Sequence, residues 1–375
     1  MSRRQVVVLL DVHSLRVSAT TRSRRTSVSR VTTQRSPLLS ELSEGDILAR
    51  VLARLGTGGA ETLVGPGDDS AVLRAPDCRY VVTCDLMVHG PDFRLAWSTP
   101  SDLGRKAAAS NLADVAAMGA RPTALVVGIA APQSLQIDVL EGIADGLVSG
   151  CAALAPGCAV VGGDLSASSA LTLAITAFGS LDGRAPVLRS GARPGDVLAT
   201  AGLLGRAGLG LHLLSERARS ASGEPSSVLA DQLRERYPEP LDAQLRPTPP
   251  IAAGVEAGKD ATAMMDVSDG LVRDARRMAC ASGIVLDLDP EAVEEHARDL
   301  LTVEGIDVEL ARALVLRAGE DHAMLACFPE GVALPSEFRP LGRVREGRPE
   351  VQLGGVELDG PGGWDPYLGW DGAMG

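Results

Sequence analysis

The chain has 375 residues, 45% apolar and only 3% aromatic, a composition that supports two domains with sizeable cores and excludes a disordered polymer. The net charge is −12, yet residues 1–40 hold eight Arg and one Asp, so the remainder carries about −19, and an acidic body of this kind argues against nucleic acid as a partner. No apolar run reaches the ~20 residues of a membrane span. The six cysteines lack any CxxC or paired zinc spacing and the five histidines form no HExxH, which argues against a zinc enzyme and reads as reduced thiols of a cytoplasmic protein.

Residues 1–37 are rich in Ser, Thr and Arg and almost free of acids. They read as a disordered basic tail or an over-long start, and the apolar run Val6–Leu10 is too short for a secretory signal. The body begins near Leu38, with a helix expected over Ser43–Leu55. Strand-like runs follow at Tyr80–Cys84, Leu125–Ala130, Leu171–Phe178, Val197–Thr200, Ala263–Asp266, Ile284–Leu288 and His322–Cys327. Helical patterns lie between them. Ser101–Met118 opens on a Ser cap and ends at Gly119, and Leu135–Ala153 lines up Leu135, Val139, Ile143 and Leu147. The Gly- and Pro-rich stretch Leu181–Gly195 is the expected linker, dividing residues 38–185 from 186–375. Residues 216–240, charged and Pro/Ser-containing, are expected as a surface insertion. Strands alternating with helices indicate an α/β or α+β protein.

Chemistry concentrates on aspartates. Gly65-Pro-Gly-Asp-Asp-Ser-Ala71 sets Asp68 and Asp69 side by side after two glycines. Adjacent carboxylates that converge repel unless a cation lies between them, although a solvated acidic turn has the same look. Asp85 is expected just past the strand Tyr80–Cys84, Asp164 follows Val160-Val-Gly-Gly, and Asp266 ends Ala263-Met-Met. An Asp past the C-terminal end of a strand points into the crevice where α/β proteins bind ligands. Ser268 or Asp269 can instead cap the helix starting near Leu271. Asn111 and Asp114, three residues apart on an Ala-rich helix, share one face, either a site or an exposed stripe. An all-oxygen ligand set without His or Cys suits Mg²⁺, which bridges carboxylates to phosphates in phosphoryl transfer. Gly254–Asp260 lacks P-loop spacing, no GxGxxG joins a clear strand to a helix, and no HRD or DFG set occurs.

In order, the segments GPGDDSAVL (65–73), TCDLMVHGPDF (83–93), KAAASNLADVAAMGARP (106–122), VVGGDLS (160–166), RSGARPGD (189–196), LRPTPP (245–250), MDVSDGL (265–271) and AGED (318–321) resemble thiamine-monophosphate kinase. The resemblance implies the two-domain fold shared with aminoimidazole ribonucleotide synthetase, an N-terminal mixed sheet with helices that binds ATP and Mg²⁺ and a C-terminal α/β domain. It also implies a homodimer, and direct in-line transfer of the γ-phosphate of ATP to thiamine monophosphate with several Mg²⁺ ions. By position, Asp69, Asp85, Asp114, Asp164 and Asp266 would hold magnesium, Asp269 a further ion, and Thr83 and Cys84 fall at metal-contacting positions. Asp114, Asp266 and Asp269 are the expected catalytic carboxylates. Gly163, Asp164, Arg189 and Ser268 would contact the nucleotide, Glu320 the thiamine pyrimidine, and Trp364 would stack on its ring.

The chain departs from the family pattern at four places. Cys84 stands for a Thr, Asp92 for a substrate-contacting His, Arg206-Ala207 for an Asp-Ser pair, and His322 for a Tyr. Competing readings are another ATP-using enzyme of the same fold with a different phosphate acceptor, and a homologue that binds nucleotide or metal without catalysis. Selenophosphate synthetase and the hydrogenase-maturation dehydratase are disfavoured, because the former needs a Cys or selenocysteine in an N-terminal glycine-rich loop and the latter a C-terminal Cys.

Overall fold

A computed structural model describes residues 35–66, 70–360 and 362–364. Most of the basic tail, and the expected metal residue Asp69 with its neighbour Asp68, lie outside the described residues. The described residues from Ser36 onward form one compact unit. No helix among the described residues is long and apolar enough to cross a membrane.

After a 3₁₀ turn at Leu39–Glu41, the first half runs α1 (Glu44–Leu55), β1 (Thr62–Val64), β2 (Val72–Leu73), β3 (Val81–Val88), α2 (Pro100–Ala117), β4 (Arg121–Ala131), α3 (Ile137–Leu154), β5 (Ala159–Ala167) and β6 (Thr172–Ser180). The second half runs β7 (Val197–Ala201), α4 (Arg206–Arg217), α5 (Ser227–Arg236), α6 (Pro238–Leu245), α7 (Ile251–Ala257), β8 (Ala263–Val267), α8 (Leu271–Ser282), β9 (Val285–Leu288), α9 (Pro290–Leu300), α10 (Val308–Arg317), β10 (Ala323–Phe328), β11 (Phe338–Arg345), β12 (Glu350–Leu353) and β13 (Val356–Glu357). Two sheets organise these elements. The first is four-stranded and mixed, in the order β3-β6-β4-β5, and the second is seven-stranded, β13-β12-β9-β11-β7-β10-β8. Among the strand pairs of the described residues, β4–β5 and β12–β9 are parallel and the rest antiparallel, so an antiparallel ladder dominates both sheets.

Helix α2 is the centre of the molecule. Its N-terminus is capped by Thr99, not the expected Ser101, because Thr99 and Asp102 form a reciprocal capping box with Pro100 in the first turn. Glycines let α2 and α3 touch backbone to backbone: a Cβ on Gly104 would lie 2.1 Å from the Ile143 carbonyl oxygen, and one on Gly146 would lie 2.2 Å from that of Ser101. The opposite side of α2 meets α7, where a Cβ on Gly254 would lie 3.0 Å from the Ala116 oxygen. One apolar core therefore runs from Leu103, Leu112 and Ile175 to Met264, Met324 and Phe328 across both sheets. Each fully buried leucine or isoleucine in it contributes about 2 kcal/mol.

Several expected boundaries move. The strand at Tyr80–Cys84 continues to Val88, so Asp85 lies inside β3 and not past its end. Asp164 likewise lies inside β5, a strand built partly from glycines that carry little strand propensity. The stretch 216–240 is more than a surface insertion: it forms α5, whose Ala230 is buried and whose Arg234 grips Asp102 of α2 at 2.7 and 3.1 Å.

Candidate active site

β3 is an edge strand, and its side chains alternate between α2 and the outer face of the sheet. Thr83 and Asp85 face α2. The Thr83 hydroxyl donates to Asp114 at 2.8 Å, and the Asp85 amide, one of the edge strand's outward N–H groups, donates to the Asn111 side-chain oxygen at 3.2 Å. Asn111 is fully buried and donates back to the Ala107 carbonyl at 3.0 Å. The shared face of Asn111 and Asp114 is thus a packed polar contact and not an exposed stripe. Burial, reinforced by the negative charges of Asp266 and Asp85, pushes the Asp114 carboxyl up to about 7. Burial likewise raises Asp85, with Asp266 and Glu320 adding to the rise and His322 opposing it.

The second half contributes two loops. The one after β8 holds Ser268 and Asp269, and the one before β10 holds Glu320, Asp321 and His322. They are tied together by the Glu320 and His322 amides, which donate to the carbonyls of Ser268 at 2.8 Å and Val267 at 2.9 Å. A side chain at Gly319 would collide with the Ser268 oxygen at 2.4 Å. Glu320 and His322 both take positive φ, 75° and 49°, so three successive side chains leave in three directions. Glu320 pairs with the buried Lys106 at 2.8 Å. Burial alone would raise the Glu320 carboxyl, but Lys106 and His322 more than offset it and hold it below its usual value. His322 is buried with Nδ1 3.4 Å from buried Asp266; burial disfavours its charge, yet the adjacent Asp266 and Glu320 raise its pKa overall. Asp321 points elsewhere and accepts from the Gly205 and Ala207 amides at 2.6 and 2.9 Å, ordering the start of α4.

Neither Ser268 nor Asp269 caps α8. The cap position is Gly270 at φ 120°, and the loop is held by Asp274, a buried acid in the first turn. It accepts from the Ser268 amide at 3.0 Å and the Asp269 amide at 2.9 Å. The Asp269 carboxylate is left for the cleft, where it pairs with Arg277 at 2.7 Å and Arg273 at 3.7 Å.

These residues separate two clefts. One, of about 620 Å³, is lined by Tyr80, Thr83, Asp114, Pro186, Arg189 and Asp266. The other, of about 520 Å³, is lined by Asp85, Asp92, Ser268, Asp269, Glu320 and Trp364. Asp92 accepts from the Val88 amide at 2.7 Å, and burial raises its carboxyl. The Trp364 amide donates to the Asp269 carbonyl at 2.8 Å, which fixes this tail residue over the second cleft. Among the expected nucleotide residues, the structure does not bring Gly163, Arg189 and Ser268 together: Ser268 lies on the Glu320 side, Arg189 on the other, and Gly163 three strands away in β5. Asp164 registers with Gly128, Ala174 and Leu86, which places it with Cys84 on the outer sheet face, away from Asp85.

No three or more His, Cys, Asp or Glu side chains among the described residues already converge as metal ligands. Asp85, Asp114 and Asp266 are nevertheless close enough to raise one another's or a neighbour's pKa. An all-oxygen cluster that repels itself fits a hard divalent cation.

A family model for the AIR synthase related protein N-terminal domain matches residues 67–181, and one for the C-terminal domain matches residues 193–348. A thiamine-monophosphate kinase of Mycobacterium tuberculosis (strain H37Rv) is 42% identical, with 88% of this chain and 94% of the relative covered. The chain belongs to the thiamine-monophosphate kinase family. Solved structures of that family share its fold. A thiamine-monophosphate kinase from Stenotrophomonas maltophilia K279a superposes at TM-score 0.67 and 29% identity over 84% of this chain and 96% of the other. A chain described as AaThiL complexed with AMPPCP and TMP gives 0.65 and 27% over 88% and 98%.

Against the family's motifs, the structure adds Lys106 and Asp274 as residues that shape the site. Lys106 opens the segment KAAASNLADVAAMGARP, but its place there carries no sign of its role. Asp274 left a fainter signal, an acid in the first turn of a helix whose cap position is a glycine.

Proposed function

We propose that the protein transfers the terminal phosphoryl group of ATP to thiamine monophosphate, giving thiamine diphosphate and ADP. The observation that carries this reading is the row Asp85–Asp114–Asp266 standing between two clefts, one bearing Arg189 and the other Glu320 and Trp364. In-line transfer needs donor and acceptor on opposite sides of one charged seam. An acceptor phosphate oxygen attacks the γ-phosphorus as the bond to the β,γ-bridging oxygen breaks, and ADP carries that electron pair away. The attacking oxygen is already ionised at neutral pH, so no side chain has to remove a proton.

Arg189 suits a nucleotide phosphate, because its planar fork donates to two oxygens. Asp85, Asp114, Asp266 and Asp269 would hold magnesium, which neutralises the phosphate oxygens when bound. Thr83 orients Asp114 through its hydroxyl. Within one chain, metal roles for Asp164 and Cys84 would concern a separate ion on the outer face, beside the nucleotide contact expected of Gly163. Glu320, held ionised by Lys106, offers an acceptor to an aminopyrimidine, and Trp364 offers a stacking face. Asp92, in place of the family's histidine, adds a carboxylate beside the cationic thiazolium. The domain division near residue 185 follows from the same reading, since β6 closes the first sheet and β7 opens the second.

The outer face of the first sheet supports a homodimer. Val82 is 55% and Leu86 64% exposed on it, and no element among the described residues covers them. A second copy is the occupant we infer, in a cytoplasmic enzyme. Leu86→Arg should yield a monomer by light scattering, and an unchanged mass would remove this face from the interface. The activity test is formation of thiamine diphosphate by the purified chain with ATP, Mg²⁺ and thiamine monophosphate. ATP binding without product would overturn the reading.

A further inference from the structure

The second cleft is bipolar. Asp92, Glu320 and the Trp364 ring lie among its lining residues, and so do two guanidinium groups from α8, those of Arg273 and Arg277. The sequence reading assigned these arginines no role. They stand one helical turn apart, so both project from one face of α8. Their common partner is Asp269, at 3.7 Å from Arg273 and 2.7 Å from Arg277. Arg277 also pairs with buried Asp274 at 2.6 Å, which fixes its position. The Arg273 stem is fixed too, because the tail packs on it: a Cβ at Gly363 would lie 3.0 Å from the Arg273 Cβ. Each guanidinium presents its N–H donors in a planar fork, the geometry that matches phosphate oxygens.

We propose that Arg273 and Arg277 bind the phosphate of the acceptor, an organic phosphate monoester that carries a heteroaromatic cation at its other end. This rests on the thiamine monophosphate reading above and names what orients that molecule in the cleft. Asp92 faces the cationic ring and Glu320 the aminopyrimidine, while the guanidiniums take the anion and direct it toward the seam of aspartates. With Asp269 engaged by a cation, the two arginines can turn the donors that face that carboxylate toward phosphate oxygens. Bidentate arginine contacts of this kind also distinguish a phosphate from the hydroxyl it esterifies.

The test is calorimetric binding of thiamine monophosphate and of thiamine to the full chain, with Mg²⁺ and a non-hydrolysable ATP analogue present. Arg273→Gln is the main variant, because Arg277 also neutralises a buried acid and its loss could unfold the loop. We expect Arg273→Gln to weaken thiamine monophosphate about ten- to hundredfold and thiamine by less than about twofold. Arg273→Lys should restore part of the loss, with unchanged thermal midpoints for both variants. Equal weakening of the two ligands, or none, overturns the assignment. If the wild-type chain binds neither thiamine compound, the acceptor reading itself has failed. Inorganic phosphate then probes the arginines directly, and an Arg273→Gln chain that binds it as wild type does would end the proposal.

Discussion

Helix α2 carries Lys106, Asn111 and Asp114 on a regular helix gripped from both sides, whereas Ser268, Asp269, Glu320 and His322 sit on two short loops of the second half. The helix side is set by packing: glycines seat α2 on α3 and α7, and Asn111 is fully buried. The loop side is set by a few hydrogen bonds, two positive-φ residues and one buried acid, Asp274. Rigid packing suits the aspartates proposed to hold fixed charge, while loops suit the pocket proposed to select the acceptor. The departures Asp92 and His322 fall at that second pocket, and none of the four falls on α2.

The sharpest test of the contrast is Asp114→Asn. Its activity should fall by about 10³-fold or more, because the proposed reaction sets this residue against the reacting phosphates. The metal-free fold should be as stable as wild type or more so, since a crowded carboxylate has been removed. A variant that unfolds would make Asp114 structural and break the comparison.

Arg234→Gln probes what holds α2 to the second half. Arg234 forks onto Asp102, which is only 4% exposed, and also reaches Asp242 at 2.8 Å. Removing it leaves a buried charge with only its Thr99 partners, so urea unfolding should show a loss of about 3 kcal/mol. A loss under about 1 kcal/mol would mean that apolar packing alone seats the helix.

The smallest expected effect belongs to Asp321, on the loop side. Burial raises its carboxyl from 3.8 to about 7. The sign follows from linkage: a raised acid contributes its stability fully below pH 3.8 and loses it as pH rises through about 7. Asp321→Asn does not titrate, so the stability difference should shift in the variant's favour between pH 5 and pH 8. A flat difference would show that the α4 amides compensate the buried charge completely.

The strands that became β4, β6, β7, β8, β9 and β10 were legible because apolar runs bounded by Gly or polar residues announce them, and α1 declared itself through Ser43. Asp85 and Asp164 were assigned to strand ends, because a carboxylate or a glycine pair reads as a stop. Both strands run on, since Asn111 takes the Asp85 amide and β4 pairs with the glycines of β5. The motifs named the candidate residues but could not sort them between the two clefts.

The sequence by itself determined the family and the order of the candidate aspartates along the chain, because residue type and order are local properties of the chain. Only the tertiary structure decided that Asp85, Asp114 and Asp266 stand together while Asp164 and Cys84 share the far face. Strand register and the seating of α2 make that choice, and both depend on contacts between residues far apart in sequence. Lys106 against Glu320 and Arg277 against Asp269 show the same dependence, since a charge acquires its role only when folding supplies its partner.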